Sequence, residues 1–365
     1  MSHVDDLLAD PAAGLFAGLG TLPKKSALTS YSYRLSHDHQ RRFLVALDAQ
    51  MISAGLAAPE QAIFDLDFHA VLHWGHDPAL DKHYVPKRSQ RARSVLTFFA
   101  QDSGTHNLVY ANADLHKATQ AREVLAFCDH WKAVSGADPR MLVMDQKLTT
   151  QQVLGELDAR GVKFLTLRMR SPALVQQINA LTSRDFTTVT LDRPGRFSRP
   201  KVHESTAELT SYPGTVRQLV VTGLGRDAPT VIITNDHQAK TKALIQRYAH
   251  RMTIEQRLAE IIRAFHTDAL SSAVNLNVDL DVMLAVLAQA LLAALRTRLP
   301  GYATATPDTL QRRFLEIPGQ IITTDQQITV RLERRAYAPV LRQADLPGAT
   351  TVPWWGNRTL RYELA

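Results

Sequence analysis

Apolar and polar positions along the chain change period several times, and the changes predict an ordered set of elements. Ile63-Phe-Asp-Leu-Asp-Phe alternates with the two-residue period of a half-buried strand. Two further strand patterns, Ser94 to Gln101 and His106 to Asn112, follow it and together predict an antiparallel meander. A helical period runs from about Asp114 to Trp131. Then Met141-Leu-Val-Met, a short continuous apolar run, reads as a buried strand that ends directly at Asp145. Thr149 with Gln152 three positions on forms a capping-box pattern, and Leu154, Leu157 and the terminating Gly161 mark out the helix it starts. Phe164-Leu-Thr-Leu-Arg supplies the next strand.

Three strands, a helix, a strand, a helix and a strand is the element order of a ribonuclease-H-like sheet, an order with which several other α/β folds also begin. From about Val175 to Asp236 the chain becomes β-rich, through Phe186-Thr-Thr-Val-Thr-Leu, Gln218-Leu-Val-Val-Thr-Gly and Thr230-Val-Ile-Ile-Thr-Asn, with breakers at Pro194, Gly195, Pro213 and Gly214. Helical pattern returns from Lys240 to about His266, where Leu258, Ile261, Ile262 and Phe265 form an apolar stripe that should pack on the sheet. The expected fold is therefore α/β: a ribonuclease-H-like mixed sheet flanked by helices and interrupted by a β-rich insertion domain. Its expected segments are 61–174 and 237–300 for the catalytic domain, 175–236 for the insertion and 301–365 for a C-terminal extension. The first 60 residues look helical and loop-like, with Pro23 to Arg34 a connector and ordered structure beginning near Ile63.

Composition narrows the function classes. With 365 residues, 45% of them hydrophobic, the chain can bury a sizeable core. The 42 Lys and Arg outnumber the 35 Asp and Glu, giving a formal charge of +7 that suits a polyanionic partner or plain solubility equally well. Cys128 is the only cysteine, which excludes an internal disulfide or a cysteine-built zinc site and fits a reducing cytoplasmic setting. The start Met1-Ser-His-Val-Asp-Asp lacks the basic flank and apolar run of an export signal. Val282 to Leu295, the longest apolar stretch, contains Gln289 and falls short of the roughly 20 residues that span a bilayer, so a core helix and no membrane are expected.

Phosphoryl transfer on DNA needs a positive clamp, because attacking and leaving oxygens both gain negative charge. Magnesium takes oxygen ligands and keeps several waters, so a few convergent carboxylates can hold two ions. Asp67 on the first strand, Asp145 at a strand end and Glu255 on the late helix would converge in the expected fold. Tyr248, Arg251 and Glu255 recur at helical spacing, so Arg251 can orient or partly neutralise Glu255 at the margin of the apolar stripe. Taken singly, an Asp after a strand is more often a turn residue and an Arg/Glu pair a solvated salt bridge. Asp65 and Glu260 are rivals for Asp67 and Glu255. Lys82, Lys87, Arg88, Arg91 and Arg93 form a basic cluster that reads either as phosphate contacts or as a solvated loop. His69, His73 and His76 lack a metal-binding helical spacing, and Trp354 and Trp355 read better as pins for the tail than as a base-stacking pair.

Tyr248-Ala-His-Arg251-Met-Thr-Ile-Glu255 resembles the Y-x2-R-x3-E signature of the bacterial insertion-sequence DDE transposases that carry a β-strand insertion domain. Asp67-Phe-His, Met144-Asp145-Gln-Lys-Leu-Thr-Thr and Trp354-Trp-Gly-Asn resemble that group too, so the likeness runs from about Gly14 onward. It implies metal-dependent hydrolysis of DNA 3′ ends and strand transfer, with Asp67, Asp145 and Glu255 holding two Mg2+ ions and Mn2+ able to substitute. It also implies DNA contacts by Tyr248 and Arg251, terminal inverted repeats and target DNA as partners, and a homodimer in the active complex; Lys87, Arg88, Arg91 and Arg93 of the basic cluster and Arg263 are the further DNA contacts expected from their charge. Two features depart from the group. The position seven residues after the glutamate, usually lysine, is Ile262 with Arg263 beside it, and residues 1–60 are only a short remnant of the usual DNA-binding region. A truncated, catalytically inactive DNA-binding remnant and a plain ribonuclease-H-like nuclease are the alternatives.

Overall fold

The computed structural model describes residues 10–72, 81–85, 89–192, 197–225, 228–265, 267, 274–344 and 349–364. Two compact units form, one of residues 40–289 and one of residues 1–39 with 290–365.

The larger unit is built on one mixed sheet. Strand β1 (Ile63–Leu72) pairs antiparallel with β3 (Gln90–Asp102), whose two halves also pair with β2 (Asp81–Val85) and β4 (Leu108–Asn112). On its other side β1 runs parallel to β5 (Met141–Met144), and β5 parallel to β6 (Lys163–Leu167). The order β4-β3-β1-β5-β6 is the strand order 3-2-1-4-5 of a ribonuclease-H-like sheet, with α4 (Glu123–Ser135) and α5 (Gln151–Ala159) in the two crossovers. The same sheet continues antiparallel through β10 (Thr230–Thr234), β9 (Thr215–Thr222), β8 (Lys201–Glu208) and the two-residue β7 (Thr187–Thr188).

Strand alternation gives β1 two different faces. Phe64 packs on Phe127 and Trp131 of α4, with ring centres 5.0 and 4.5 Å away. Asp65 and Asp67 point the opposite way, toward α7 (Thr241–His250) and α8 (Met252–Phe265). The face carrying the acids is held down by Leu244 and Ile245 of α7, packed with Val143, Leu165, Leu219 and Ile232. On the other face of β9 and β10, α6 (Pro172–Asn179) buries Leu174 and Ile178 on Val220 and Val231.

Helix α9 (Asn275–Arg298) is 24 residues, longer than the apolar pattern suggested, and by length and composition it could cross a membrane. Its polar side chains identify it as a core helix. The Ala113 N–H donates to Asp279 Oδ1 at 2.8 Å, the Leu108 N–H to Gln289 Oε1 at 3.1 Å, and Gln289 Nε2 to Asn107 Oδ1 at 2.6 Å. These bonds satisfy amide groups at the two ends of β4, the outermost strand on that side.

In the smaller unit, α1 (Pro11–Phe16) and α2 (Lys25–Tyr31) precede a four-stranded sheet in the order β11 (Gly319–Thr323), β12 (Gln327–Leu332), β14 (Arg358–Leu364), β13 (Thr350–Val352). Its core joins Leu299, Leu310 of α10 (Pro307–Leu310), Phe314 and Leu341 of α11 (Ala338–Gln343). Trp355 Nε1 donates to the Leu19 carbonyl at 3.1 Å, so this tryptophan does pin the tail.

Several local expectations need correction. Pro23 to Arg34 is not a bare connector but contains α2, and α3 (His37–Ser53) buries Leu44 and Met51 well before Ile63. The helix expected from Asp114 begins only at Glu123, because Tyr110 and Asn112 bond the Glu123 carboxylate there at 2.7 Å each. Thr150 and not Thr149 caps α5, accepting from the Val153 N–H, while Thr149 Oγ1 donates to the Ala121 carbonyl. Of Phe186 to Leu191 only two residues are strand, and β8, whose polar Lys201 to Glu208 gives a weak signal, takes the pairing with β9 instead. The helix expected from Lys240 to His266 is two helices meeting at Arg251.

Candidate active site

Register places the first two acids. Leu66 of β1 lies opposite Met144 of β5, so one step further along these parallel strands Asp67 comes level with Asp145, with its side chain on the same face. Asp67 Oδ1 accepts its neighbour's Phe68 N–H at 3.0 Å, and Asp145 Oδ1 accepts the Gln146 N–H at 2.7 Å. Such local bonds fix both carboxylates at the C-terminal side of the parallel strands, where open α/β sheets bind ligands.

The third acid arrives from the helices. Because α7 and α8 break at Arg251, the arginine turns inward while Glu255 stays on the outer side of the first turn of α8. Arg251 Nη2 donates to Glu255 Oε1 at 2.8 Å, and Arg251 Nη1 lies 3.7 Å from Asp67 Oδ1. Arg251 Cζ sits 5.9 Å from the centre of the Tyr248 ring. The Arg251 side chain is 10% exposed against 51% for Glu255, so the expectation that Glu255 sits half-shielded fits the arginine better.

Electrostatics tie the group together. Burial pushes the Asp67 carboxyl up to about 6; Arg251 opposes this, while Glu255 and Asp145 raise it further. Burial works against the Arg251 charge, yet Tyr248, Asp67, Glu255 and Asp145 hold it above the usual guanidinium value. The Tyr248 hydroxyl is pushed up to about 12, chiefly by burial. Asp67, Asp145, Glu255, Tyr248 and Arg251 therefore form one interacting cluster.

A second pair braces it and was not singled out from the sequence. Arg247 Nη2 donates to Asp65 Oδ1 at 2.6 Å, with Asp65 wholly buried. Arg247 and Arg251 stand four apart on the helical path, and Asp65 and Asp67 two apart on β1, so two arginines meet two aspartates in step. That i/i+4 against i/i+2 spacing is readable in the sequence once the two elements are known to face each other. Asp65, the rival of Asp67, is thus neutralised by Arg247, and burial leads the upward shift of its carboxyl. Glu260, the rival of Glu255, is tied to Arg257 at 2.6 Å.

The basic residues lie elsewhere. Lys82 is directly across from Arg93 on the β2–β3 ribbon, and exposed Arg91 is two residues along the same face. Arg263 is exposed two turns beyond Glu255, its Nε donating to the Ala259 carbonyl. Lys87, Arg88, His73 and His76 lie outside the described residues.

The donor set is all oxygen, the chemistry a hard divalent cation selects. Burial drives the Asp67 carboxyl up, and Glu255 and Asp145 add to it; a cation among these acids would oppose both. As arranged, Arg251 fills that role between Asp67 and Glu255. Among the described residues no three His, Cys, Asp or Glu side chains are close enough to share an ion.

The family described as transposase DDE domain group 1 matches residues 1–344. No curated protein matches the chain. Among solved structures, the cryo-EM structure of a piggyBac transposase synaptic complex with hairpin DNA is similar at a TM-score of 0.39 and 12% identity, over 79% of this chain and 59% of that one. The chain thus spans less than two thirds of the length of that relative.

Proposed function

The chain belongs to the transposase DDE domain group 1 family, and from that premise we propose that it hydrolyses the 3′ ends of an insertion element and joins them to target DNA. The observation that carries the reading is the juxtaposition of Asp67 and Asp145 on adjacent parallel strands with Glu255 facing them across Arg251. DDE transposases use divalent metal ions, and in this reading Asp67, Asp145 and Glu255 would hold a pair of Mg2+ ions. When bound, such ions supply the positive clamp for oxygens that gain charge in an in-line displacement.

The chain's own residues do the rest. Two acids sit on rigid strands and keep their spacing. Glu255 is on a helix start and exposed, so it is the member free to adjust. Arg251 holds Glu255 in the resting arrangement and must release it for the three acids to close on a shared ion. It then offers its guanidinium, already flanked by the Tyr248 ring, to a DNA phosphate. Lys82, Arg91, Arg93 and Arg263 add phosphate contacts that orient the duplex without reading its sequence. Terminal inverted repeats and target DNA are the substrates, and a homodimer pairs the two ends.

The test is incubation of duplexes bearing the flanking inverted repeats with Mg2+ or Mn2+. Joined products support the transposase reading, and nicking alone assigns a plain nuclease. Asp67→Asn, Asp145→Asn and Glu255→Gln should each reduce cleavage to background while changing duplex affinity less than about twofold, since no basic contact is removed. Residual cleavage in any of them removes that residue from the site. One observation favours binding without cleavage, namely Arg251 lying amid the acids. Intact duplex binding with no cleavage under either metal would establish that reading instead.

A further inference from the structure

On the face of the sheet opposite the acids, a groove of about 490 Å3 runs between α6 and strands β8 and β9. Its size is that of a small-molecule site. Leu174 and Ile178 of α6 with Leu181 form an apolar wall, and Gln218, Ser205 and His203 form a polar floor. Arg168 stands at one end, half-buried, with Nη1 donating to Gln218 Oε1 at 2.5 Å, and Gln218 Nε2 donates in turn to Ser205 Oγ at 3.4 Å.

Arg168 differs from four other buried or half-buried arginines. Arg217, Arg247, Arg251 and Arg257 each have a carboxylate within 4.0 Å, whereas among the described residues Arg168 has none. Its fixed neighbour is a neutral amide. Burial alone pulls its guanidinium below the ordinary value, with no nearby charge to offset the loss. A partly desolvated cation without a counter-ion costs stability unless a ligand supplies the anion.

Its place in the fold narrows what that ligand is. Val143 of β5 lies opposite Leu165 of β6, so Asp145 comes level with Leu167 and Arg168 is one step past it. Arg168 and Asp145 share the C-terminal edge of the parallel strands but face opposite sides. A strand of DNA held at the acids and passing round that edge meets Arg168 next. We propose that the groove binds one nucleotide unit of the DNA, its phosphate on Arg168 and its sugar and base along the Leu174–Ile178–Leu181 wall. This rests on the reading of the chain as a DNA-acting enzyme.

Full-length protein is titrated with a labelled mixed-sequence duplex, and separately with thymidine monophosphate, in the absence of divalent metal. Arg168→Gln keeps a polar partner for Gln218. Gln177 is exposed on α6 at the mouth of the groove, so Gln177→Glu and Gln177→Arg leave the fold intact. Arg168→Gln and Gln177→Glu should weaken duplex binding several-fold and Gln177→Arg should tighten it. Arg168→Gln should also make the slope of log K against log salt shallower by about 0.9, one lost phosphate contact. Unchanged affinity and slope in all three variants would overturn the proposal. Monophosphate binding lost in Arg168→Gln with duplex binding intact overturns the DNA assignment and gives the groove to a free nucleotide. The titration involves no cleavage, so loss or absence of cleavage bears only on the carboxylate site.

Discussion

Individual charged residues here divide by how their burial is compensated. Asp48 is fully buried beside His130, their nearest atoms 2.7 Å apart, and burial raises its carboxyl to about 6 against a partial offset from His130. Between its ordinary value of 3.8 and about 6 the folded chain holds a proton that the unfolded chain has lost, so this group's contribution to stability falls as pH rises. Asp48→Asn has no such loss. Its stability relative to the wild type should rise by about 2 kcal/mol from pH 4 to pH 6, read by urea unfolding at a series of pH values. A flat difference across that window would show that His130 fully balances Asp48. Asp67 carries a comparable burden, since its carboxyl is held in the same range with Arg251 beside it. Asp67, Asp145, Glu255 and the Arg251–Glu255 pair are candidates by residue type and spacing, but taken singly each has an ordinary reading, and it is the resemblance to a transposase signature that singles them out. Arg247 could not be named, because its meaning depends on Asp65 lying beneath it. Nor could Arg168, whose distinction is that among the described residues no carboxylate lies within 4.0 Å of it.

Elements form where local signals agree and shift where a long-range bond competes. The apolar run Met141 to Met144 has one use, a buried strand, and it was legible at once. At the start of α5 two threonines offered a cap, and packing decided between them by giving Thr149 a partner at Ala121. The joint between α7 and α8 was hidden because the apolar stripe continues through it, and only the inward turn of Arg251 marks the break. Gly155 gives an element-scale test. Alanine in mid-helix normally gains about 1 kcal/mol over glycine. A methyl at Gly155 would stand 2.6 Å from Pro213 Cδ, on a ring that cannot rotate away. Gly155→Ala should therefore be destabilising by about 1–3 kcal/mol, seen as a lower urea midpoint at unchanged slope. A stabilised variant would mean that the loop carrying Pro213 yields freely.

For the molecule as a whole, the order of elements foretold the five central strands, since each crossover fixes its neighbour. How the later β-rich segment pairs could not be read in advance, because β8 is mostly polar and its place follows from β9 beside it. The long helix α9 was legible as apolar, but not its two polar contacts. Those contacts carry a consequence for how copies of the chain meet. With the Leu108 and Ala113 amides already engaged by Gln289 and Asp279, that flank of the sheet offers a stranger's extended segment little to zip onto. Swapping both helix residues for alanine would bare the flank, and light scattering should then detect concentration-dependent clumping that the parent lacks. If the altered chain stays dispersed, some other feature guards the flank. If it clumps, Asp279 and Gln289 are what keep the strand ladder closed to all comers.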